Sequence, residues 1–283
     1  MLKETYTLSN GVEIPKIAFG TWLLDNQSVI GAVKNAINIG YRHIDTAAAY
    51  ENEEGVGQAI RESNVARSDL FVTTKIVAEA KDYESAKAAI ELSLNKLDID
   101  YIDLLLIHSP RPWADYKSEH RYAEGNLQAW RAMEEAYEAG KIKSIGVANF
   151  ERDDLENLIV NANISPMVDQ VLSHIGHTPM ALIEYAKKQN ILIEAHSPFG
   201  HGDLMRNNEI KRMASELNVS VPQLAVNYLL QLGLVPLPKA SSIEHMRNNA
   251  SVDFTIPAEM MKQLENFSEI QYSEATSVFP VYQ

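Results

Sequence analysis

Apolar and polar positions follow two periods along the chain, and the two alternate. Short β-branched or apolar runs occupy KIAFG (16–20), YRHIDTA (41–47), LFVTTKI (70–76), YIDLLLIH (101–108), SIGVAN (144–149), MVDQVLS (167–173), ILIEAHS (191–197) and LVPLPK (234–239), and each predicts a strand. Helical spacing fills the gaps. Val29, Val33, Ala36 and Ile37 share a face ahead of Gly40, and Ala86, Ile90, Leu94 and Leu97 follow Asp82, a predicted N-cap. Thr178 reads as a cap with Pro179 at the first helical position, and Ser220 and Gln223 have capping-box spacing ahead of Gly233. In front of all this, TYTLSNGVEIP reads as a hairpin turning at Asn10-Gly11, the favoured pair for a two-residue turn.

Strand then helix, about eight times over, is the pattern of a (β/α)8 TIM barrel. An open doubly wound sheet is the alternative, but its glycine-rich turn after the first strand is missing: AFGTWLLDNQS has one glycine. GVGQAI (55–60) sits inside a helical pattern, where small residues let the helix pack closely. No linker or low-complexity stretch marks a boundary, so residues 1–283 read as one barrel domain.

Composition narrows the partners. A formal charge of −13, from 25 basic and 38 acidic residues, argues against nucleic acid or an anionic membrane surface as the main partner. The absence of cysteine removes disulfides, thiolate metal sites and thiol nucleophiles. MLKETYTLSNGVEI has no apolar stretch of signal-peptide length, so a soluble cytoplasmic protein is expected. The oligomeric state stays open, with a monomer compatible.

Barrel chemistry sits where strands end. Those ends supply Gly20-Thr21-Trp22, Asp45, Lys75, His108-Ser109, Asn149, Gln170, His196-Ser197 and Lys239, a polar set emerging from apolar strands. Asp45, Tyr50, Lys75 and His108 have a joint logic. A phenol with a pKa of about 10 is a weak acid at neutral pH. An ammonium beside it stabilises phenolate, and Lys75 supplies one that Asp45 keeps charged. His108 adds a donor to a substrate oxygen. Each has a packing explanation: Asp45 as a helix cap, Tyr50 as core, Lys75 reaching solvent, His108 as a satisfied histidine. Their agreement across successive strand ends favours the joint reading. A zinc-dependent hydrolase built from His43, Asp45, His108, His174 and His196 is a competitor, but it gives Tyr50 and Lys75 no role and sets an ammonium beside a cation.

YRHIDTAAAYENEEGVGQAI, TTKI, IDLLLIHSP, GKIKSIGVANF, PMVDQ and LPKASSIEHMRNNA occur in order and nearly end to end, and with them the chain resembles the aldo-keto reductases. The resemblance implies a hairpin plugging the barrel floor, a nicotinamide cofactor and reversible reduction of aldehydes or ketones. It implies Tyr50 as proton donor, tuned by Lys75 and Asp45, with His108 orienting the carbonyl. Thr21 and Asp45 would approach the nicotinamide ribose, Asn149 and Gln170 would hold the carboxamide, and His196 would take the ring-stacking position. The SPFGHG loop, with Ser197 and Phe199, would cover the pyrophosphate, while Lys239, Ser241, His245 and Asn249 would meet the adenosine end. Trp22, Trp113 and Phe279 or Tyr282 would wall the substrate pocket, and for Trp113 simple packing on the rim is equally open.

Four positions depart from the family pattern. Ala148 stands where a serine is usual, removing a carboxamide hydrogen bond. His196 replaces an aromatic ring that is usually tyrosine, and Ser109 replaces a tryptophan, which should open the pocket there. His245 stands for an arginine on the 2′-phosphate and cannot form its bidentate pair. The cofactor implied is NADPH, with NADH use left open. A slow cofactor-binding sensor or interaction subunit is the second reading.

Overall fold

The apolar runs do become strands, each shorter than its run. The computed structural model describes residues 1–268 and 270–282. Eight parallel strands, β3 (Ala18–Gly20), β4 (His43–Asp45), β5 (Phe71–Ile76), β6 (Leu104–Ile107), β7 (Ile145–Ala148), β8 (Val168–Leu172), β9 (Leu192–His196) and β10 (Val235–Leu237), lie side by side in chain order. The Gly20 N–H donates to the Pro238 carbonyl at 3.1 Å and brings the first strand against the last. A side chain at Gly20 would sit 3.1 Å from the Leu237 carbonyl oxygen, so glycine suits this seam. The TIM barrel expected from the sequence is what forms.

Helices α1 (Ser28–Ile39), α2 (Glu53–Arg61), α3 (Tyr83–Leu97), α4 (Ala123–Glu138), α5 (Arg152–Asn161), α6 (Met180–Lys188), α7 (Asn208–Glu216), α8 (Val221–Gln231) and α9 (Ile243–Ala250) follow the strands, with both α7 and α8 between β9 and β10, and α10 (Ala258–Glu265) and a short α11 (Glu274–Ser277) come last. Their ends obey the sequence signals. Asp82 accepts the Ser85 N–H at 2.8 Å, Ser220 and Gln223 form a capping box, and Gly40 closes α1 with a φ of 121°. Thr178 is an exception. Its hydroxyl donates back to the His174 carbonyl at 2.9 Å, so Pro179 directly precedes α6 and no side chain caps it.

β1 (Thr5–Thr7) and β2 (Glu13–Pro15) pair antiparallel, with Tyr6 opposite Ile14. Their connection differs from the two-residue turn expected. Leu8 donates to the Val12 carbonyl and Gly11 to the Leu8 carbonyl, with Gly11 at φ 85°, so the loop has three residues. Asn10 explains it: its carbonyl caps Val12 and its amide donates to Lys143 O at 2.9 Å, tying the hairpin to the chain entering β7. The hairpin therefore covers the N-terminal end of the strands, opposite the rim.

The two glycines of α2 let it approach its neighbours. A Cβ at Gly55 would lie 2.2 Å from Asn26 O, and one at Gly57 1.9 Å from Leu97 O. Backbone atoms cannot swing aside. Gly57→Ala is expected to destabilise the chain by about 1–3 kcal/mol through overpacking, read as a lower midpoint in urea; an unchanged midpoint would mean that α2 can shift outward freely.

The barrel interior is unusually polar in its middle. His43, Asp45, Thr73, Lys75, Gln170 and Glu194 reach one another across it and are all buried. Alternation turns Ile44, Val72, Leu105, Val147, Val171 and Ile193 outward, buried under the helices.

Candidate active site

Asp45 ends β4 and Lys75 stands one residue before the end of β5. The Lys75 ammonium donates to both Asp45 oxygens at 2.8 and 2.9 Å and to the Thr46 carbonyl at 2.9 Å. It also lies 3.3 Å from the Tyr50 hydroxyl. A helical turn at Ala48–Tyr50 brings the phenol there, and Asn52 fixes that turn. Fully buried, Asn52 accepts from the Thr46 hydroxyl and donates to the Thr21 and Leu24 carbonyls. Sequence reasoning missed Asn52, although a lone amide at the entry of a helical pattern is a recognisable cap-like signal.

Burial opposes the charge on Lys75, yet the Asp45 carboxylate and Tyr50 hold its pKa above the ordinary value. For Tyr50 the balance differs from expectation: burial raises its pKa more than the Lys75 cation lowers it, so the net shift is upward. The phenol is thus firmly protonated at neutral pH, and the ammonium eases the formation of phenolate once a proton is drawn away. His108 is buried, with its pKa pushed well below the imidazole range by burial and then by Lys75. Its neutral ring stands 5.7 Å from the Tyr50 ring and 5.1 Å from Trp113, centroid to centroid.

These groups border a cavity of about 550 Å³ at the C-terminal ends of the strands. Asp45, Tyr50, His108, Asn149, Gln170, His196, Ser197, Phe199, Lys239, Trp22, Trp113 and Phe279 all line it. Lys75 is behind the wall, reaching the cavity through Tyr50. Thr21 is wholly buried, its hydroxyl spent on the Asp45 carbonyl at 2.9 Å, and it does not reach the cavity. Ser241 and His245 lie exposed outside it, beside and on α9, and Asn249 is buried further along that helix. Tyr282 packs on Tyr272 and His201 rather than lining the space.

Ser109 also departs from expectation. It is fully buried, its carbonyl accepts from Lys81 at 2.7 Å, and Trp113 occupies the wall near His108 instead.

Beyond the four central residues the polar wall is closely bonded. Asn149, at φ 60°, donates to the His108 carbonyl at 3.0 Å and meets His196 Nε2 at 2.9 Å. His196 is pushed down to about 3 by its low-polarity surroundings, so the neutral ring donates from Nε2 to Asn149 Oδ1 and accepts the Ser197 hydroxyl at Nδ1. Gln170 donates to Asp45 and to Glu194, a partner not singled out from the sequence. Across the cavity mouth, Trp22, His201 and Phe279 form a ring cluster with centroids 4.7–5.4 Å apart. Asp203 ties the loop that carries His201 to the C-terminal segment: it accepts from the Ser273 N–H at 2.9 Å and the Thr276 hydroxyl at 2.9 Å.

Two histidines of the zinc set are engaged elsewhere: His43 bonds Thr73, and His174 bonds the Ile175 carbonyl and Tyr272. Among the described residues no group of three or more His, Cys, Asp or Glu could hold a metal ion. Burial pushes His43 down to about 3 and His174 to about 4. The unfolded chain protonates both near pH 6.5, so their contribution to stability is complete above that pH. It is lost below, at about 1.4 kcal/mol per pH unit for each ring, until the folded values are reached. Ring NMR signals of these two residues are expected to stay flat from pH 8 to pH 5; a midpoint near 6.5 would show that they are solvated.

Among the described residues, no helix is long and apolar enough to cross a membrane. Residues 16–269 match the model of the aldo/keto reductase family. The chain is 42% identical over 266 residues to glyoxal reductase of Bacillus subtilis (strain 168), covering 93% of this chain and 92% of that protein. It is 34% identical over 265 residues to methylglyoxal reductase of Escherichia coli (strain K12), covering 93% and 92%. Among solved structures, an aldo/keto reductase from Brucella melitensis superposes with a TM-score of 0.86 at 36% identity, covering 92% of this chain and 96% of that one. A Bombyx mori aldo-keto reductase in complex with NADP does so at 0.85 and 30% identity, covering 100% and 99%. With a barrel whose rim joins an acid, an ammonium, a phenol and an imidazole, and with relatives alike along nearly its whole length, this chain belongs to the aldo/keto reductase family.

Proposed function

We infer that the protein is a cytoplasmic, NADPH-dependent carbonyl reductase, with small dicarbonyl compounds as the first substrate class to test. One observation carries the reading: a phenol and an imidazole face one cavity while a buried ammonium bonds both the phenol and a carboxylate. Glyoxal and methylglyoxal reductases are among its relatives, and structures alike in fold hold NADP.

The residues present suit a nicotinamide dinucleotide. Asn149 and Gln170 offer side-chain amides at the cavity wall, and Gly202, at φ 96°, carries the covering loop's backbone along the cavity. Lys239 places a cation toward the outer end. When bound, the cofactor supplies a hydride for the carbonyl carbon. His108 donates a hydrogen bond to the carbonyl oxygen and sets its position. Tyr50 gives its proton to that oxygen as negative charge develops there. Lys75 stabilises the resulting phenolate, and Asp45 keeps Lys75 charged.

Lys239 favours the 2′-phosphate, whereas His245 cannot clamp it in the manner of a guanidinium. Faster turnover with NADPH and measurable turnover with NADH are therefore expected. The test follows absorbance loss of NADPH and NADH with methylglyoxal. Cofactor binding without oxidation, across aldehydes and ketones, would instead support a cofactor-binding sensor or interaction subunit.

A further inference from the structure

Glu194 lies at the centre of β9, fully buried, two residues before His196. An acid there needs a reason, because burying a carboxyl costs free energy unless it is bonded. Its Oε2 accepts from Gln170 Nε2 at 2.8 Å, while its Oε1 has no hydrogen-bond partner among the described residues and lies 3.6 Å from His43 Nε2. His43 Nε2 is engaged with the Thr73 hydroxyl at 2.8 Å. Among the described residues, Gln170 is therefore the one group that the Glu194 side chain holds by a hydrogen bond.

Gln170 has a second anchor on the same nitrogen, Asp45 Oδ2 at 2.9 Å. The Asp45 carboxylate settles which end of the amide is NH2, since an amide oxygen turned toward it would be repelled, and Glu194 engages the second hydrogen of that nitrogen. They also fix its plane. A single anchor would leave the amide free to rotate about one N–H···O axis. Held at both hydrogens, Gln170 keeps its carbonyl for the cavity it borders. That carbonyl has no donor among the described residues.

We propose that Glu194 is a positioning residue that acts through Gln170: it locks the side-chain amide so that the carbonyl Oε1 stands ready to accept an N–H from the nicotinamide carboxamide. The proposal rests on the cavity being a nicotinamide site. It explains why a buried strand carries an acid that reaches no reacting atom. It also gives the carboxamide pocket, where Ala148 offers no hydroxyl, a fixed acceptor that does not depend on Asn149.

The test compares NADPH with its 3-acetylpyridine analogue, whose acetyl group has no N–H to donate. Equilibrium binding of each is read from tryptophan fluorescence in wild type, Glu194→Leu and Glu194→Gln. Wild type should favour NADPH. Glu194→Leu should lose about 5- to 10-fold in NADPH affinity, the scale of one hydrogen bond, with little change for the analogue. Glu194→Gln, which can still present an acceptor to Gln170, should retain the preference. A leucine variant that weakens both ligands alike, or neither, overturns the proposal while leaving the cofactor reading intact. Wild type that binds no NADPH removes both. Should Glu194→Leu fail to fold, the unaltered chain decides through ¹⁵N-glutamine spectra. Both side-chain amide protons of Gln170 should exchange slowly with solvent, and one fast-exchanging proton overturns the double anchor.

Discussion

Tyr50→Phe is expected to lower turnover by about 10²–10⁴-fold, the range usual for loss of a general acid, with little change in the dissociation constant for NADPH. The variant removes one oxygen and keeps the ring that stands edge-on to His108, so the cavity retains its shape. Among the described residues, Tyr50 is the hydroxyl that combines a place on the wall with a bond to the buried ammonium, whereas Asp45 meets that ammonium as an acceptor. His108 is a weak alternative, since burial keeps its ring neutral. Single-turnover measurements separate the steps: binding should appear at its normal amplitude and hydride transfer should nearly vanish. Retention of most activity would move the acid elsewhere and leave His108 or a water as the donor.

Lys75→Met should affect both stability and catalysis. The ammonium is 1% exposed and satisfies both oxygens of Asp45, itself 3% exposed. Removing it leaves a buried carboxylate with Gln170 as its side-chain partner, and breaking such a pair typically costs about 3–5 kcal/mol. Catalysis should fall by orders of magnitude as well, because Tyr50 loses the charge that counters the effect of burial on its pKa. The two effects can be separated. Asp45→Asn combined with Lys75→Met removes both charges, so most of the lost stability should return while activity stays low. A double variant as unstable as Lys75→Met would show that the lysine stem, rather than its charge, holds the rim.

Much of this was legible along the chain. A polar residue at or near the end of an apolar run is conspicuous: His108 and Asn149 end their runs, and Asp45, Lys75, Gln170 and His196 stand within three residues of an end. Helix ends were equally readable where a side chain and its backbone partner are near neighbours, as for Asp82 and Ser85. What stayed hidden depends on closure of the barrel. Gln170 meets Asp45 across 125 positions of sequence, and only a closed ring of strands brings them together. Glu194 stood in plain view as the one acid in ILIEAHS, yet its purpose becomes visible only with Gln170 beside it. Burial of Ser109, with its carbonyl accepting from Lys81 of a neighbouring loop, was equally invisible along the chain. Thr178 was misread because a local contact with His174 outcompetes the cap.

The polar file running through the barrel has a consequence for how such a chain can change. A barrel interior filled with branched apolar side chains contributes much of the cohesion in its fold. Here the shaft is given over to His43, Asp45, Thr73, Lys75, Gln170 and Glu194, and cohesion shifts to the sleeve where Ile44, Val72, Leu105, Val147, Val171 and Ile193 press against the helices. Shaft and sleeve thus answer to different demands. Side chains at the mouth, such as Trp22, His201 and Phe279, pack on one another at the edge of the cavity. On the proposed function, exchanging these mouth rings is expected to change which carbonyl compound fits while the buried shaft and sleeve stay in place.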